Sequence, residues 1–425
     1  MYPSLLTIAG PVVSKGTLQR LSITVNRETG LIHSVQMPDG NEHVNYPDSC
    51  LIFAGFGDIH VHAREDVSGK HLYKESFRSA SLAALNGGVT HIADMPNNPV
   101  PPVDDASWKA KHALTVSSHI PLVIYAGIGP ATLPLSVNVP YKAFMGPSIG
   151  DLFFKDDETL TQTLARYAGL PISFHCEDPV VLDLNREQST HERRRPAMAE
   201  IRATDLALAL IRTYGLRGKL CHYSTGDGLQ KILRAKMEGV DVTCEVTPTH
   251  LFFDQSMLTP ANHKWLQMNP PLRENRDKDM LLDALKNGDI DYLATDHAPH
   301  SREEKEKGTS GVTHLDTYGA FVTWLISEKQ VPVSIIEQVC AVNPGRFSAP
   351  FLDPSRIGAG LGEIKPGYMA NLTVLNMKKP VTIKQNGLRT QCGWSPFEGF
   401  TFPGSVEDTW IGGFRRSELD SGPWL

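Results

Sequence analysis

In the run Gly55-Phe56-Gly57-Asp58-Ile59-His60-Val61-His62-Ala63-Arg64, two imidazoles stand two residues apart at the end of what reads as a β-strand. Residues i and i+2 of a strand share a face, so His60 and His62 can bind one ion from one side while Ile59 and Val61 pack behind. Gly55 and Gly57 would leave the backbone free to turn there. A bare His-x-His is a weak signal, and two histidines near a strand end can be coincidence. Residues further along the chain give it weight. Lys142 lies in the apolar run Tyr141-Lys142-Ala143-Phe144-Met145, where an unpaired buried ammonium is costly unless it snorkels to the surface. Three further apolar runs close on Ser173-Phe174-His175-Cys176-Glu177, Leu220-Cys221-His222 and Ala294-Thr295-Asp296-His297-Ala298-Pro299-His300. A single core histidine is usually structural, but this series puts donors at matching ends of successive runs. Nitrogen and oxygen donors without convergent cysteines suit a catalytic, zinc-type site with open positions, not a closed structural one.

The elements that must present these residues follow a rhythm. From Gly55 onward short apolar runs (residues 90–93, 122–127, 141–145, 172–175, 219–222, 240–246 and 290–295) alternate with helical stretches such as 76–86, 196–214 and 226–238. A repeated βα pattern argues for a parallel sheet. About eight strands ending in polar residues fit a closed (β/α)8 TIM-type barrel better than an open doubly wound sheet, because barrel sites are built at strand C-terminal ends. Residues 1–54 read as short strands with Gly, Asn and Asp turn signals, and short strands return at 372–375, 381–383 and 408–411 after a helical 332–347 region. The simplest organisation is a barrel over 55–357 and a small composite β-sandwich domain formed by the N- and C-terminal segments, 1–54 and 358–425. The charged segment Ser301–Thr309 is the best candidate for a mobile loop, the alternative being a solvated surface turn.

Composition narrows the partners. With 425 residues, 41% hydrophobic and 21% charged, the chain has ordinary globular composition and room for a sizeable core. A formal charge of −6 leaves no electrostatic footprint for nucleic acid or an anionic membrane, and Arg193-Arg194-Arg195 is too short a basic run to change that. A small-molecule substrate is the expectation. No apolar run reaches the length of a membrane span, the first residues lack a basic leader, and six scattered cysteines show no framework spacing, so a cytoplasmic protein with free thiols is expected.

Taken in order, Asp58-Ile59-His60-Val61-His62, Met95-Pro96-Asn97, Tyr141-Lys142, His175-Cys176-Glu177, His222, Cys244-Glu245-Val246-Thr247-Pro248, Asn269-Pro270-Pro271-Leu272-Arg273 and Ala294 to His300 resemble the dihydroorotases of the amidohydrolase superfamily. Gly362-Glu363-Ile364-Lys365-Pro366-Gly367 and Ser395-Pro396-Phe397-Glu398-Gly399 in the tail are similar to the same family. The pieces are individually weak, but their order is specific and spans essentially the whole chain. The resemblance implies reversible cyclisation of N-carbamoyl-L-aspartate to L-dihydroorotate in pyrimidine biosynthesis. It implies a metal site of one or two zinc ions per subunit: His60, His62 and Asp296 for the first, His175 and His222 for the second, with Lys142 carboxylated by CO2 as the bridge. It further implies a hydroxide nucleophile held between the ions, Asp296 as the proton carrier, Arg64, Asn97 and His300 on the substrate carboxylate, and Asn269 on the ring. A homodimer, and an aspartate transcarbamoylase partner for some members, belong to the same expectation.

The chain also departs from the family pattern. Glu65-Asp66-Val67 replaces the usual Glu-Pro-Gly after Arg64, Thr249 stands where a second histidine usually precedes His250, and the loop around Ser310 to Asp316 is altered. None of these removes a ligand, but they bear on substrate choice. Another cyclic amidohydrolase, a hydantoinase or allantoinase, is therefore the alternative, with a catalytically silent dihydroorotase-like partner of the transcarbamoylase as a third reading. Arg64 pairing with Glu65 or Asp66, and Asn97 as a turn former, are the structural alternatives for those two residues.

Overall fold

The computed structural model describes residues 3–147 and 152–419; the outermost residues of the two terminal segments lie outside this range. Eight parallel strand positions follow one another around a barrel: Phe56–Val61, Val89–Asp94, a third strand in two pieces (Leu122–Ile124 and Ala126–Ile128), Tyr141–Phe144, Pro171–His175, Arg217–Leu220, Val242–Val246 and Tyr292–Leu293. The break in the third strand divides the ladder into a three-stranded and a six-stranded sheet. Between the last strand and the first, the described residues are joined by one isolated parallel bridge, Val61 to His297, with His62 N–H donating to the His297 carbonyl at 2.7 Å. Asp58 reinforces this junction: its carboxylate accepts the Thr295 N–H at 3.1 Å and also the Thr295 hydroxyl.

Connecting helices lie where the periodicity placed them, over Phe77–Asn86, Ala197–Tyr214 and Gly226–Met237. The first starts at Ser76 with a reciprocal capping box, and the second stops at Gly215 in the left-handed conformation, φ 59°. The helical region after residue 332 is interrupted: Val333–Ile336 and Asn343–Ser348 flank a wider π-turn over Glu337–Val342. Gly55, just before the first barrel strand, and Gly57 within it serve close approach and not turning. A Cβ on Gly55 would stand 2.3 Å from Thr90 Oγ1, and one on Gly57 2.1 Å from His91 Nε2, so these positions let the second strand seat against the first.

Leu5–Ser14, Thr17–Asn26, Leu31–Gln36 and Cys50–Ala54 pair with the C-terminal strands Leu372–Asn376 and Ser405–Ile411 along one hydrogen-bonded path. The sheet is keyed to the barrel through Thr373, whose hydroxyl donates to the Gly88 carbonyl at 2.6 Å and accepts the Phe56 N–H at 3.0 Å. The 381–383 run does not join it. Val381–Thr382 pairs with Thr401–Phe402 as a separate ribbon, drawn off by an aromatic cluster in which Phe402 packs on Phe397 with ring centroids 5.3 Å apart. The 301–309 segment also differs from the mobile loop expected of it. Arg302–Glu306 is a capped helical turn, and buried Lys305 donates to the carbonyls of Gln267, Thr309 and Gly311 at 2.8–3.1 Å. Three acceptors for one ammonium satisfy all its donors and tie the segment down.

Candidate metal centre

Apart from Lys142, the ligand candidates sit at, or within three residues beyond, the C-terminal ends of barrel strands. His60 is the penultimate residue of the first strand and His62 follows it, Lys142 lies within the fourth, and His175 ends the fifth. His222 and Asp296 come two and three residues past the sixth and eighth. One pocket is lined by His60, His62, Lys142, His175, His222 and Asp296 together with Arg64, Asn97 and Asn269. Of the five non-glycine residues with positive φ among those described, three are here: Arg64 at 63°, His222 at 37° and Asp296 at 51°. Left-handed backbone is unfavourable for such side chains, and its concentration at one pocket marks a site whose geometry is imposed by the surrounding structure.

Each imidazole turns one nitrogen inward. His60 Nε2 and His62 Nε2 lie 3.3 and 2.9 Å from Asp296 Oδ1, and His175 Nδ1 lies 2.9 Å from His222 Nε2. The outward nitrogens of the first three are held: His60 Nδ1 by Glu245, His62 Nδ1 by Asn97 Oδ1 at 2.7 Å, and His175 Nε2 by Glu177 Oε2 at 2.8 Å. A carboxylate or amide behind a ligating histidine fixes its tautomer and aims its lone pair, the arrangement found behind metal ligands. Burial first, with nearby positive groups adding to it, lowers the pKa of His60, His222 and His175, and burial with Arg64 lowers that of His62. Neutral imidazole is the form that binds a metal. Burial pushes Asp296 up to about 7, a cost that a cation beside the carboxylate removes. The donor set therefore fits a divalent ion, and His60, His62 and Asp296 form one group with ligand atoms close enough to share it.

A layer of charge behind the ligands was not anticipated. Glu245 accepts from His60, from the His222 N–H at 3.0 Å and from Lys219. Glu177 is held by Arg195 at 3.0 and 3.1 Å; burial alone would raise its pKa, but Arg195 and His175 bring it well below the usual carboxylate range. Lys142 Nζ is buried, 2.8 Å from Cys221 Sγ and 5.3 Å from the centre of the Phe144 ring. Being fully buried it has not snorkelled, and no carboxylate among the described residues lies within ion-pair distance of it, Asp296 acting on it only from further off. His60, Cys221 and Glu245 also form a group of possible ligands, but the Glu245 oxygens are engaged by three donors, which makes it a buttress.

Arg64 does not pair with its sequence neighbours. Glu65 accepts the Phe77 N–H at 2.6 Å, and Asp66 accepts the N–H groups of Ser68 and Val100 at 2.8 Å. Arg64 instead donates from Nε to the Pro299 carbonyl at 3.2 Å and brings Nη2 within 3.2 Å of His300 Nε2. Asn97 lines the pocket, yet its oxygen serves His62, so it is neither a turn former nor wholly committed to a substrate. Asn269 Oδ1 is buried without a hydrogen-bond partner among the described residues. At the Thr249 position, the threonine hydroxyl joins Thr247 at 3.0 Å, while His250 braces the Pro270 carbonyl at 3.1 Å.

No protein-family model matches the chain. It is 30% identical over 396 residues to the dihydroorotase of Pyrococcus furiosus, covering 92% of this chain and 88% of that one. It is 31% identical over 421 residues to the dihydroorotase of Archaeoglobus fulgidus, covering 94% of both. Among solved structures, the L-hydantoinase (dihydropyrimidinase) of Arthrobacter aurescens superposes with a TM-score of 0.85 over 96% of this chain and 95% of that one, at 22% identity. That likeness establishes the barrel with its added β domain.

Proposed function

The chain belongs to the dihydroorotase family of metal-dependent cyclic amidohydrolases, and we propose that it interconverts L-dihydroorotate and N-carbamoyl-L-aspartate. One observation carries this reading: Arg64 and the unpartnered Asn269 oxygen line the same pocket as four imidazoles, Lys142 and Asp296. A guanidinium suits a carboxylate, and a lone buried acceptor suits a ring N–H.

His60, His62 and Asp296 would hold one ion and His175 and His222 a second, with zinc the metal that best suits the donor set. Lys142, fully buried and without a carboxylate at ion-pair distance among the described residues, is the residue we assign to carboxylation by CO2, which would turn it into an anionic ligand for both. When bound, such ions acidify water and draw charge from an amide carbonyl. The remaining work falls to the side chains. Asp296 takes the proton of the attacking water and returns it to the ring nitrogen as the C–N bond breaks. Arg64 orients the substrate through its carboxylate, His300 stands beside it, and Asn269 accepts from the ring. In the reverse direction the same carboxyl protonates the departing oxygen, and ring closure consumes one proton overall.

No helix among the described residues is long and apolar enough to cross a membrane. Free, mostly buried cysteines fit the reducing cytoplasm we propose for it; a homodimer, with or without a transcarbamoylase partner, completes the proposal. The test is metal-replete protein assayed on dihydroorotate, carbamoyl aspartate, hydantoin and allantoin side by side. Dihydroorotate turnover should exceed the others; preference for hydantoin, or no turnover of dihydroorotate, overturns the reading.

A further inference from the structure

Lys305 is fully buried, with no carboxylate among the described residues at ion-pair distance, and the reaction as described does not use it. A buried charge without a counter-ion is expensive, so its place needs a reason. Its Nζ donates to the carbonyls of Thr309 and Gly311, both at 2.8 Å, and to that of Gln267 at 3.1 Å. Burial pulls its pKa down to about 7. The three carbonyls oppose that pull, because only the charged form has a hydrogen for each of them. The Trp394 ring, its centre 5.4 Å from Nζ, adds an electron-rich face to the same cage.

These three acceptors belong to two walls of the substrate pocket. Thr309 and Gly311 bracket Ser310, and Ser310 and Gly311 line the pocket. Gln267 stands two residues before Asn269, which lines it from a separate stretch of chain. The ammonium thus binds, from one point, the carbonyls on either side of Ser310 and a carbonyl just ahead of Asn269. Gln267 strengthens the seam: its carbonyl also accepts the Gly311 N–H at 2.9 Å, and its side-chain amide donates to Ser310 Oγ at 3.2 Å. Gly311 is packed without slack. At φ 136°, a Cβ there would stand 2.6 Å from the carbonyl oxygen of Ala298, another pocket-lining residue.

A strut between two walls sets the width of the ring that fits between them. N-carbamoyl-L-aspartate can close through either carboxyl group; in both cases the carbamoyl nitrogen forms the new C–N bond and one water leaves. The β-carboxyl gives the six-membered dihydroorotate, and the α-carboxyl gives its five-membered isomer, hydantoin-5-acetate. The isomers hold the same atoms and one free carboxylate each, so net charge does not separate them and pocket shape must. We propose that Lys305 is a positioning residue that fixes the spacing of the Asn269 and Ser310–Gly311 walls and thereby selects the six-membered ring over its five-membered isomer. This rests on the dihydroorotate reading for the ring but not for the strut.

The experiment compares kcat/KM for hydrolysis of dihydroorotate and of hydantoin-5-acetate in the metal-replete parent and Lys305→Met. The parent should favour dihydroorotate, and in the variant the ratio of the two constants should fall about tenfold or more, the scale on which pocket shape discriminates, with metal content preserved. A general loss of folded protein lowers both constants by one factor and leaves the ratio where it was. Hydrogen exchange of substrate-free protein reads the strut directly: residues 265–269 and 308–312 should both exchange faster in Lys305→Met, with the Gly311 N–H as the marker, while the barrel strands keep the parent's rates. Lys305→Gln, which keeps two N–H donors on a shorter side chain, should fall between parent and Lys305→Met, and it carries the test if the methionine variant does not fold. An unchanged ratio, unchanged exchange, or a parent that prefers the five-membered ring overturns the proposal. A parent that hydrolyses neither ring sinks the dihydroorotate reading instead, and the exchange result then decides whether Lys305 is the strut.

Discussion

The two sides of the pocket are built by different means. On the candidate metal side His60, Lys142 and His175 belong to strands, His62, His222 and Asp296 follow within one to three residues of a strand end, and buried Glu177 and Glu245 brace the imidazoles. On the other side Arg64, Lys74, His300 and Glu304 all stand on connections after the first and last strands, held by one another and by main-chain carbonyls. A strand-borne ligand inherits its place from the ladder, whereas a loop-borne one is only as well placed as its hydrogen bonds. The metal side should therefore fail in turnover and ion retention, and the loop side in recognition.

The sharpest break comes from Asp296→Asn, which keeps the shape and removes the base. Turnover should fall at least about a hundredfold, the low end of general acid–base contributions, while KM for dihydroorotate stays near the parent value. A variant within tenfold of the parent would move the proton to another group and dissolve the division between the two sides. Arg64→Met should do the opposite: a loss of roughly 10- to 150-fold in kcat/KM for dihydroorotate, the worth of a charge-assisted hydrogen bond, with metal content and dihydrouracil turnover preserved. Equal loss on both substrates would show that Arg64 supports the metal side. Glu245→Gln tests the buttress, and a competition titration with a chelator should show metal affinity lowered about 10- to 100-fold. If affinity is unchanged, strand placement alone aims His60. Far from both sides, Trp410→Phe in the terminal sheet removes the indole N–H that donates to Tyr46 at 3.0 Å. It should cost about 1 kcal/mol of unfolding free energy, read by denaturant titration, and leave both kinetic constants alone.

This contrast also explains what could be read before the fold was known. His60 and His62 were legible because a strand's period of two puts them on one face, and Lys142 because a lysine in an apolar run demands a reason. The same reasoning applies to Glu245, a carboxylate inside Val242-Thr243-Cys244-Glu245-Val246, and to Lys219 ahead of Leu220 and Cys221. Thr243 sits opposite Lys219 in the ladder, and Glu245 is two residues on, hence on the same face. Their signal was present as buried charge in neighbouring strands, but pairing them needed the register. Lys74 and Glu304 gave no such signal. Each lies among other charged residues, and 230 positions separate them, so nothing local distinguishes them from solvated surface. The 381–383 run misled for a related reason: strand character was right, but its partner was chosen by the aromatic cluster around Phe397 and Phe402.

The junction between the eighth strand and the first gives the metal site a second meaning. His60 and His62 stand on one bank of it and Asp296 on the other, and the backbone there contributes one bridge, Val61 to His297. A ligand that binds only the closed form stabilises it by an amount that grows with the logarithm of its concentration, about 4 kcal/mol at a thousand times Kd. An ion held by the proposed ligands His60, His62 and Asp296 would therefore join the first and last strands across the seam that the backbone closes most sparingly among the described residues, so that its affinity and the stability of the closed barrel would rise together.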